Sequence, residues 1–383
     1  MINWRRLDEI RKRDGDARFA RQMVNMINEG QIPLSEVSIR GLWEACGAPK
    51  LGMDRMLVES RSFKDDDDLL FEATDSSAFP TITGALINRY IQDAYNLEYG
   101  VGMQLVTRIP ASKRDDVIVG FSEADGVKEV PEGMEYEESA FGEKYHMIRT
   151  RKFGRIVALT AEMVRFDQTG QMEQRARRVG ELAKVKQEEI IFDAVLEKSS
   201  SGLYAAWRPG GTSTALYSDT STDPYSNSTF DNVNTNNLVD ESDLQENLAL
   251  LGAAKDEKDN PITVTPSHVL TSPAKIMTAR KLMRSGSDTR ATYNQGIVNP
   301  FQGMFDPVAS QWVTTTLSSV YWLLGDFRKQ FVYPEVFPLQ TFMARPGNDD
   351  EFKRDIVMAF KARFMGGCGA ISNRYVVRST GAS

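Results

Sequence analysis

The sequence predicts an α+β protein whose main elements are a long helix and a long two-stranded β-ribbon directly before it. Apolar residues recur with helical spacing between about Gly170 and Lys198. Upstream, two β-prone segments flank a strongly acidic stretch, as the strands of a long hairpin would. Elsewhere, helices and strands mix without regular βαβ alternation. The 383 residues exceed what one compact core usually serves, so we expect two or three domains.

Charge, cysteine content and hydropathy argue against several classes of protein. A net charge of −7 argues against a protein whose main task is to grip nucleic acid through its phosphates. The two cysteines, Cys46 and Cys368, form no disulfide framework and indicate a reduced compartment. The amino terminus lacks the apolar core of a secretory signal, and no run is apolar enough to span a bilayer. These features predict a soluble intracellular product.

The first 60 residues are predicted to be helical. Phe19, Met23 and Ile27 form one apolar stripe, and a second helix is expected to run through Trp43. The acidic run Asp65–Asp68 lacks the D-x-D-x-D-G spacing of a calcium loop. We therefore interpret it as a charged hinge rather than a metal site.

The predicted ribbon follows a helix over Thr83–Leu97 and a short strand over Met103–Ile109. Its strands are Asp115–Glu123 and Lys144–Arg155, and residues 123–143 between them hold eight acids and one lysine. The second strand is basic, with Lys144, Arg149, Arg151, Lys152 and Arg155. An isolated two-stranded ribbon is marginal in water. We therefore expect support from another copy of the chain.

The long helix is amphipathic. The residues expected on its buried face are Val179, Leu182, Ala183, Ile190 and Ala194. On the exposed side the spacing predicts ion pairs of Glu173 with Arg177 and of Lys184 with Glu188. At 1.5 Å per residue the helix would be roughly 40 Å long.

The remainder of the chain is predicted to be mixed. Ser199–Asp243 is a long polar loop with scattered aromatic residues, which suggest partial docking. Helices are predicted over Asp243–Ala254 and from Pro273 through Met283, with strand material in Ile262–Thr271. Further strands are predicted over Val313–Leu317, Val320–Leu324, Phe331–Tyr333, Phe352–Met365 and Tyr375–Arg378.

No motif indicates catalysis. His146 and His268 have no partner at zinc-ligand spacing, and no G-x-S-x-G nucleophile turn exists. Gly100 and Gly102 resemble a phosphate loop only superficially, because no third glycine or GK[ST] follows. The acids of residues 123–143 lack the shielding that an acid/base pair needs, so we interpret them as a contact surface. The sequence thus predicts no enzyme, no cofactor and no metal.

The order of these parts resembles a tailed-phage major capsid protein of the Hong Kong 97 fold, over about residues 80–383. The ribbon Arg114–Phe153 and the helix Gly170–Lys198 look like that fold's extended loop and spine helix. HVLTSP followed by AKIMTARKLM is similar to a strand–Pro–helix step of its axial domain. WLLGDF, then FVYPEVF, resembles its hairpin region, and Phe352–Met365 with YVVRS resembles its closing strands.

The resemblance implies six segments. They are a helical amino-terminal arm (1–78), the start of the peripheral domain (79–112), the extended β-hairpin loop (113–155), the peripheral domain with the spine helix (156–200), the axial domain (201–340) and the shared closing strands (341–383).

The resemblance also implies a function. The chain would assemble in the host cytoplasm as hexamers and pentamers of an icosahedral virion head that encloses double-stranded DNA. Its partners would be itself, a portal, a scaffold or maturation protease, and decoration proteins, with DNA contacted non-specifically. Some family members crosslink their subunits through lysine. We expect no crosslink here, because acidic neighbours keep Lys128 charged.

The predicted contact pairs an acidic ribbon tip with a basic surface of a neighbouring copy. The residues are Glu129, Glu132, Glu135, Glu137 and Glu138 on the tip, and Arg175, Arg177 and Arg178 at the start of the neighbour's spine helix. Three alternatives remain open: an encapsulin-like nanocompartment shell, a carboxylate-dependent hydrolase that uses the acids of 123–143, and a tail or baseplate protein.

Overall fold

A computed structural model describes most of the chain. The described residues are 16–29, 78–96, 100–121, 143–160, 171–226, 229–286, 298–344 and 356–381. The helix through Trp43, the Asp65–Asp68 run and the acidic ribbon tip lie outside them.

Helices and strands mix throughout, which confirms the α+β class. The helices are α1 Asp16–Asn28, α2 Ala78–Asn96, α3 Gln171–Val195, α4 Glu241–Gly252, α5 Ile276–Arg284, α6 Gln311–Thr316 and α7 Phe327–Gln330. The strands are β1 Thr107–Pro110, β2 Asp115–Phe121, β3 Glu143–Arg149, β4 Arg151–Thr160, β5 Ser221–Thr222, β6 Thr229–Phe230, β7 Val233–Asn234, β8 His268–Thr271, β9 Asp306–Ala309, β10 Trp322–Gly325, β11 Phe331–Ala344, β12 Ile356–Gly366, β13 Gly369–Ala370 and β14 Val376–Ser379.

The long helix is confirmed as α3, which has 25 residues. Val179, Ile190 and Ala194 are buried as predicted, whereas Leu182 and Ala183 are only partly buried. The exposed position predicted for Glu188 is wrong, because this carboxylate is only 3% exposed. Near its carboxyl end α3 is covered on nearly all sides, so the pattern of one buried face holds only for its first half.

One sheet has the strand order β1-β11-β12-β4, with β13 also paired to β11. Strand β11 extends far beyond the predicted Phe331–Tyr333. Pro334 and Pro338 lie inside it and mask its length in the sequence, because proline is a poor strand residue. Pro334 remains in register with Ile109 of β1.

The second sheet has the order β7-β14-β10-β8-β9. Helices α4 and α5 supply Leu244 and Leu282 to a core that includes Trp322 of β10 and Val377 of β14. Helix α4 begins with a capping box between Asp240 and Asp243. The predicted helices and strands of this region are confirmed with shifted ends.

Residues 311–316 correct one prediction. The expected strand Val313–Leu317 is wrong, because this segment forms helix α6. Ser310 caps the helix by accepting a hydrogen bond from the Trp312 amide at 3.3 Å. Local capping here outweighs the β propensity of valine and threonine.

The ribbon of β2 and β3 is confirmed, but its second strand is shorter than predicted. The expected Lys144–Arg155 strand divides at Thr150 into β3 and β4. Thr150 is buried, and both its amide and its hydroxyl donate to the Arg114 carbonyl oxygen. These bonds close the base of the ribbon, and the chain then continues into β4, which belongs to another sheet.

The chain divides into two compact units. Unit 1 comprises residues 1–97, 153–184 and 339–364, and unit 2 comprises 98–152, 185–338 and 365–383. In unit 1, α1 packs against α2 through the predicted stripe of Phe19, Met23 and Ile27, which are all buried. Among the described helices, none is both long enough and apolar enough to cross a bilayer.

Candidate assembly surface

The described part of the ribbon has two unlike faces. Val117 lies opposite Met147 and Val119 opposite Tyr145, whereas the alternate pair joins Ile118 to His146. Because side chains alternate along a strand, these pairs occupy opposite faces. His146 is 4% exposed, but Val119 is 64% exposed. One face is therefore covered by the chain, and the other presents apolar side chains to solvent.

The edge of the ribbon formed by β3 pairs with the loop after α3. The Met147 amide donates to the Arg208 carbonyl oxygen at 3.1 Å, and the Gly210 amide donates to that of Tyr145 at 2.9 Å. The Tyr225 hydroxyl also donates to the Tyr145 carbonyl oxygen, at 3.1 Å. The expectation that only another copy supports the ribbon is thus wrong for its described part. Long-range docking of an aromatic-bearing polar loop supplies the support.

A buried ion cluster anchors β3 at Lys144, near the end of the strand that is farther from Thr150. Lys144 Nζ lies 2.5 Å from Glu257 Oε1. Arg374 lies between two carboxylates, 3.8 Å from Glu257 and 3.3 Å from Asp223. Glu257, Asp223 and Arg374 are all buried. Because charges of both signs meet there, the desolvation of each is partly offset.

His146 lies beside this ion cluster as a neutral ring. Burial, followed by the nearby positive charge of Lys144, lowers the pKa of His146 to about 4. Burial raises the pKa of Asp223, while the Tyr225 amide and Arg374 act in the opposite direction. The His146 ring lies edge-on to Tyr225, with ring centroids 6.0 Å apart. These contacts assign His146 a packing role in holding the ribbon.

The basic residues of the ribbon divide into two groups. Lys144 belongs to the ion cluster, and Arg149 lies 3.5 Å from Asp115 across the ribbon. The Arg151 guanidinium lies 4.4 Å from the centre of the Tyr204 ring, as in a cation–π contact. Lys152 and Arg155, in contrast, are exposed.

The three arginines predicted to receive the acidic tip lie in the first turns of α3. Arg177 is 2.8 Å from Glu173, which confirms that predicted ion pair, and also lies over the Tyr90 ring. Arg178 is 2.9 Å from Glu181, and Arg175 is exposed. The five acids of the tip lie outside the described residues, so this intersubunit contact stays a prediction.

The structure explains the glycines near residue 100. The Gly102 amide donates a 2.8 Å hydrogen bond to Glu188 Oε2. A side chain at Gly102 would meet that carboxylate. The chain's own acid thus binds the amide that a phosphate loop would offer to an anion, and these glycines serve close packing.

The histidines and the described cysteine lie in separate places. Within the part of the chain that the structure describes, no group of three or more His, Cys, Asp or Glu residues is placed to hold an ion. His268 contacts the Ser267 hydroxyl at 2.7 Å. Cys368 is a free thiol, whose pKa is raised by burial.

Sequence reasoning missed the residues that anchor β3 at Lys144. Asp223, Glu257 and Arg374 come from three segments separated by 34 and 117 positions in the sequence, with no local motif around any of them. The only available signal was Tyr225 in the polar loop, where scattered aromatics indicated docking without showing what they would contact.

The exposed apolar side chains of the described ribbon are of the kind that contact another protein surface. A family model described as "Phage capsid protein" matches residues 143–379, more than half of the chain. The chain therefore belongs to the phage capsid protein family. It is a structural component of the virion capsid, as the sequence resemblance implied.

Comparison with solved structures gives similar chains of low identity. The capsid of a native GTA particle is 11% identical, with 75% of this chain and 92% of that chain covered and a TM-score of 0.47. Mycobacterium phage Patience is 13% identical, with 81% and 90% covered and a TM-score of 0.47. A virus-like particle from Pyrococcus furiosus is 9% identical, with 76% and 97% covered and a TM-score of 0.42. A search of curated proteins finds no match.

Proposed function

We propose that the chain is the major head subunit of a tailed phage and assembles as hexamers and pentamers into an icosahedral shell around double-stranded DNA. The family match over residues 143–379 carries this proposal. The exposed apolar face of the ribbon supports it, since Val117, Val119 and Tyr145 are at least 40% exposed although they lie on a regular element. The encapsulin-like alternative is not favoured by the match.

Shell formation can be tested directly with the purified, concentrated chain. We expect closed particles by negative-stain electron microscopy and a fast-sedimenting species in the ultracentrifuge. Tubes or rings would instead favour the tail or baseplate alternative. A chain that stays monomeric at every concentration, alone and with a co-expressed scaffold, would overturn the proposal.

Contact between copies is proposed to use the acidic tip. Opposite charges on the tip and on a neighbour would fix register between copies. We expect the double variant Glu135→Lys/Glu137→Lys to lower the shell yield without unfolding the subunit, while Glu135→Asp/Glu137→Asp keeps the charge and assembles normally. Normal shells from the lysine variant would remove the tip from the contact.

Further partners follow from the same proposal. They are a portal, a scaffold or maturation protease, and decoration proteins, with DNA bound only non-specifically. The net charge of −7 supports a weak, non-specific relation to DNA. We also propose that the mature shell is not crosslinked and that the chain has no catalytic role. Boiled shells should then run as a single monomer band in denaturing electrophoresis, and a ladder would contradict the absence of crosslinks.

A further inference from the structure

Helix α5 has one buried face and one charged face. Ala279, Leu282 and Met283 are buried in the core of the second sheet. The opposite positions recur at the three- and four-residue steps of a single helix face, and each of them is exposed. They are Met277, Arg280, Lys281 and Arg284. We call the three cations of this face, Arg280, Lys281 and Arg284, the basic stripe.

The surroundings of the basic stripe do not neutralise it. Residues 260–286 contain no aspartate or glutamate, although these acids make up 53 of the 383 residues of the chain. Among the residues that the structure describes, no carboxylate forms an ion pair with the three cations. Strand β9 packs against α5 and carries one acid, Asp306, which lies beside His268 of β8 in the sheet register. The basic stripe is therefore a local positive surface on a chain whose net charge is −7.

Exposed cations elsewhere in the chain have acids next to them. Arg178 of α3 is 2.9 Å from Glu181 of the same helix. Arg114, at the base of the ribbon, is followed directly by Asp115 and Asp116. A polyanion that approaches either place meets charges of both signs, whereas α5 itself carries cations only.

The chemistry of the basic stripe fits the phosphate backbone of a DNA duplex. Arg280 and Arg284 are about one helical turn apart, so the stripe is about 6 Å long. Double-stranded DNA carries one charge per about 1.7 Å of its axis, so this length faces about three or four phosphates. Arginine and lysine bind phosphates without reading the base sequence. A protein partner is favoured less, because interface centres are rich in apolar and aromatic side chains and this helix face offers only Met277.

We propose that the basic stripe of α5 contacts the phosphate backbone of the packaged DNA, without preference for base sequence. This inference rests on the proposed function, because it takes the chain to form a shell around double-stranded DNA. Three charges per copy give weak binding, and many copies that face one duplex add their contacts. Weak electrostatic contacts of this kind hold the duplex near the shell and still let it slide.

Binding of the unassembled subunit to a short, fluorescently labelled DNA duplex tests the basic stripe. We expect fluorescence anisotropy to show binding that weakens between about 50 and 200 mM salt. The logarithm of the binding constant should fall against the logarithm of the salt concentration with a slope of about −2.7, for three phosphate contacts. The variant Arg280→Gln/Lys281→Gln/Arg284→Gln should bind at least about tenfold more weakly and lose most of this slope. Glutamine is a good helix former, so the variant keeps the helix propensity of α5.

Two matched variants separate charge on α5 from charge in general. Lys113→Gln/Arg114→Gln/Lys152→Gln removes three exposed cations from the base of the ribbon and changes the net charge by the same amount. This variant should keep most of the binding and of the salt slope. Arg280→Lys/Arg284→Lys keeps the charge of the basic stripe and should bind the duplex nearly as the wild type does. Circular dichroism of each unassembled subunit reports its folding.

The outcomes separate this inference from the proposed function. If the wild-type chain forms no shells, the proposed function fails, even where the subunit binds DNA through α5. If shells form and the triple glutamine variant of α5 binds the duplex with wild-type affinity and slope, the basic stripe is not the DNA contact. An equal loss in the ribbon-base variant would show that overall charge binds DNA and would overturn the assignment to α5. Loss of shell assembly with unchanged duplex binding would make the stripe a contact with another protein, which also overturns the inference.

Discussion

At the scale of single residues, Glu257 has the most demanding environment near the ribbon. It is 3% exposed and lies within 4 Å of cationic groups on Lys144 and Arg374. A buried charge is tolerated only with such partners, and removing one member leaves the others uncompensated. The anchoring of β3 at Lys144 is therefore sensitive to a single carboxylate far away in the sequence.

We expect Glu257→Gln to lower the free energy of unfolding of the subunit by about 3 kcal/mol, because two cations would lose their shared carboxylate. Chemical denaturation of the unassembled subunit measures this change. Glu181→Gln is the control, since its partner Arg178 is 67% exposed and surface pairs contribute about 0–1 kcal/mol. Equal effects of the two substitutions would show that the ion cluster is not a stabilising contact.

Because His146 is buried as a neutral ring, we expect the stability of the subunit to depend on pH. Its pKa falls from the ordinary 6.5 to about 4 on folding, so the unfolded chain takes up the proton first as the pH falls. The free energy of unfolding should decrease between about pH 6.5 and pH 4, by up to about 3 kcal/mol. Asp223 acts with the opposite sign, because burial raises its pKa.

The comparison of wild type with His146→Gln isolates this contribution. In the variant, the free energy of unfolding should decrease much less between about pH 6.5 and pH 4 than in the wild type. Denaturation at each pH measures this decrease. His268→Gln is the control and should change the slope less, because His268 is only partly buried. An unchanged slope in His146→Gln would contradict the neutral, buried ring.

At the scale of elements, Gly180 lets α3 lie close to α2. A Cβ at this position would overlap the Ile91 carbonyl oxygen and lie 2.9 Å from the Ala94 side chain. Glycine inside a helix usually costs up to about 1 kcal/mol relative to alanine. The close approach explains why a helix former is absent at this buried position.

We expect Gly180→Ala to destabilise unit 1 by about 2 kcal/mol, because overpacking forces the two helices apart. Gly252→Ala is the matched control in α4, where a Cβ meets no atom within 4 Å. The control should leave stability unchanged or raise it slightly. Thermal unfolding followed by circular dichroism compares the two, and a stabilised Gly180→Ala subunit would refute the close packing of the helices.

At the scale of the whole molecule, one face of the ribbon packs within the subunit, and we expect the other face to contact further copies. The polar loop anchors the ribbon along the β3 edge, and the ion cluster anchors it at Lys144. The exposed apolar face of the ribbon contributes little to the stability of the isolated subunit, because Val117 and Val119 are 43% and 64% exposed. Substitutions on the two faces should therefore have different consequences.

We expect Val117→Ser/Val119→Ser to reduce shell yield several-fold while changing subunit stability by less than about 1 kcal/mol. Sedimentation measures the yield, and denaturation of the subunit measures the stability. Val239→Ser, at a valine 62% exposed outside the ribbon, is the control for loss of exposed apolar surface. Wild-type yield from the double variant would exclude the outer face from subunit contacts.

The sequence by itself determined the long helix, the ribbon strands, their order and the resemblance to a capsid protein. Those features can be seen along the chain, because a helix has an apolar period of 3.6 residues and a strand has a period of two. The order of the elements is the order of the sequence itself. It misassigned residues 313–317, where the Ser310 cap outweighs β propensity. It also joined β3 and β4 into one strand, because the Thr150 hydrogen bonds that separate them are contacts across the ribbon. Only the tertiary structure decided that Tyr225, Glu257 and Arg374 anchor β3 near Lys144, and that Phe342 meets Lys361 and Arg363. Such contacts join residues distant along the chain, and their energy depends on burial and charge pairing that exist only after the chain has folded.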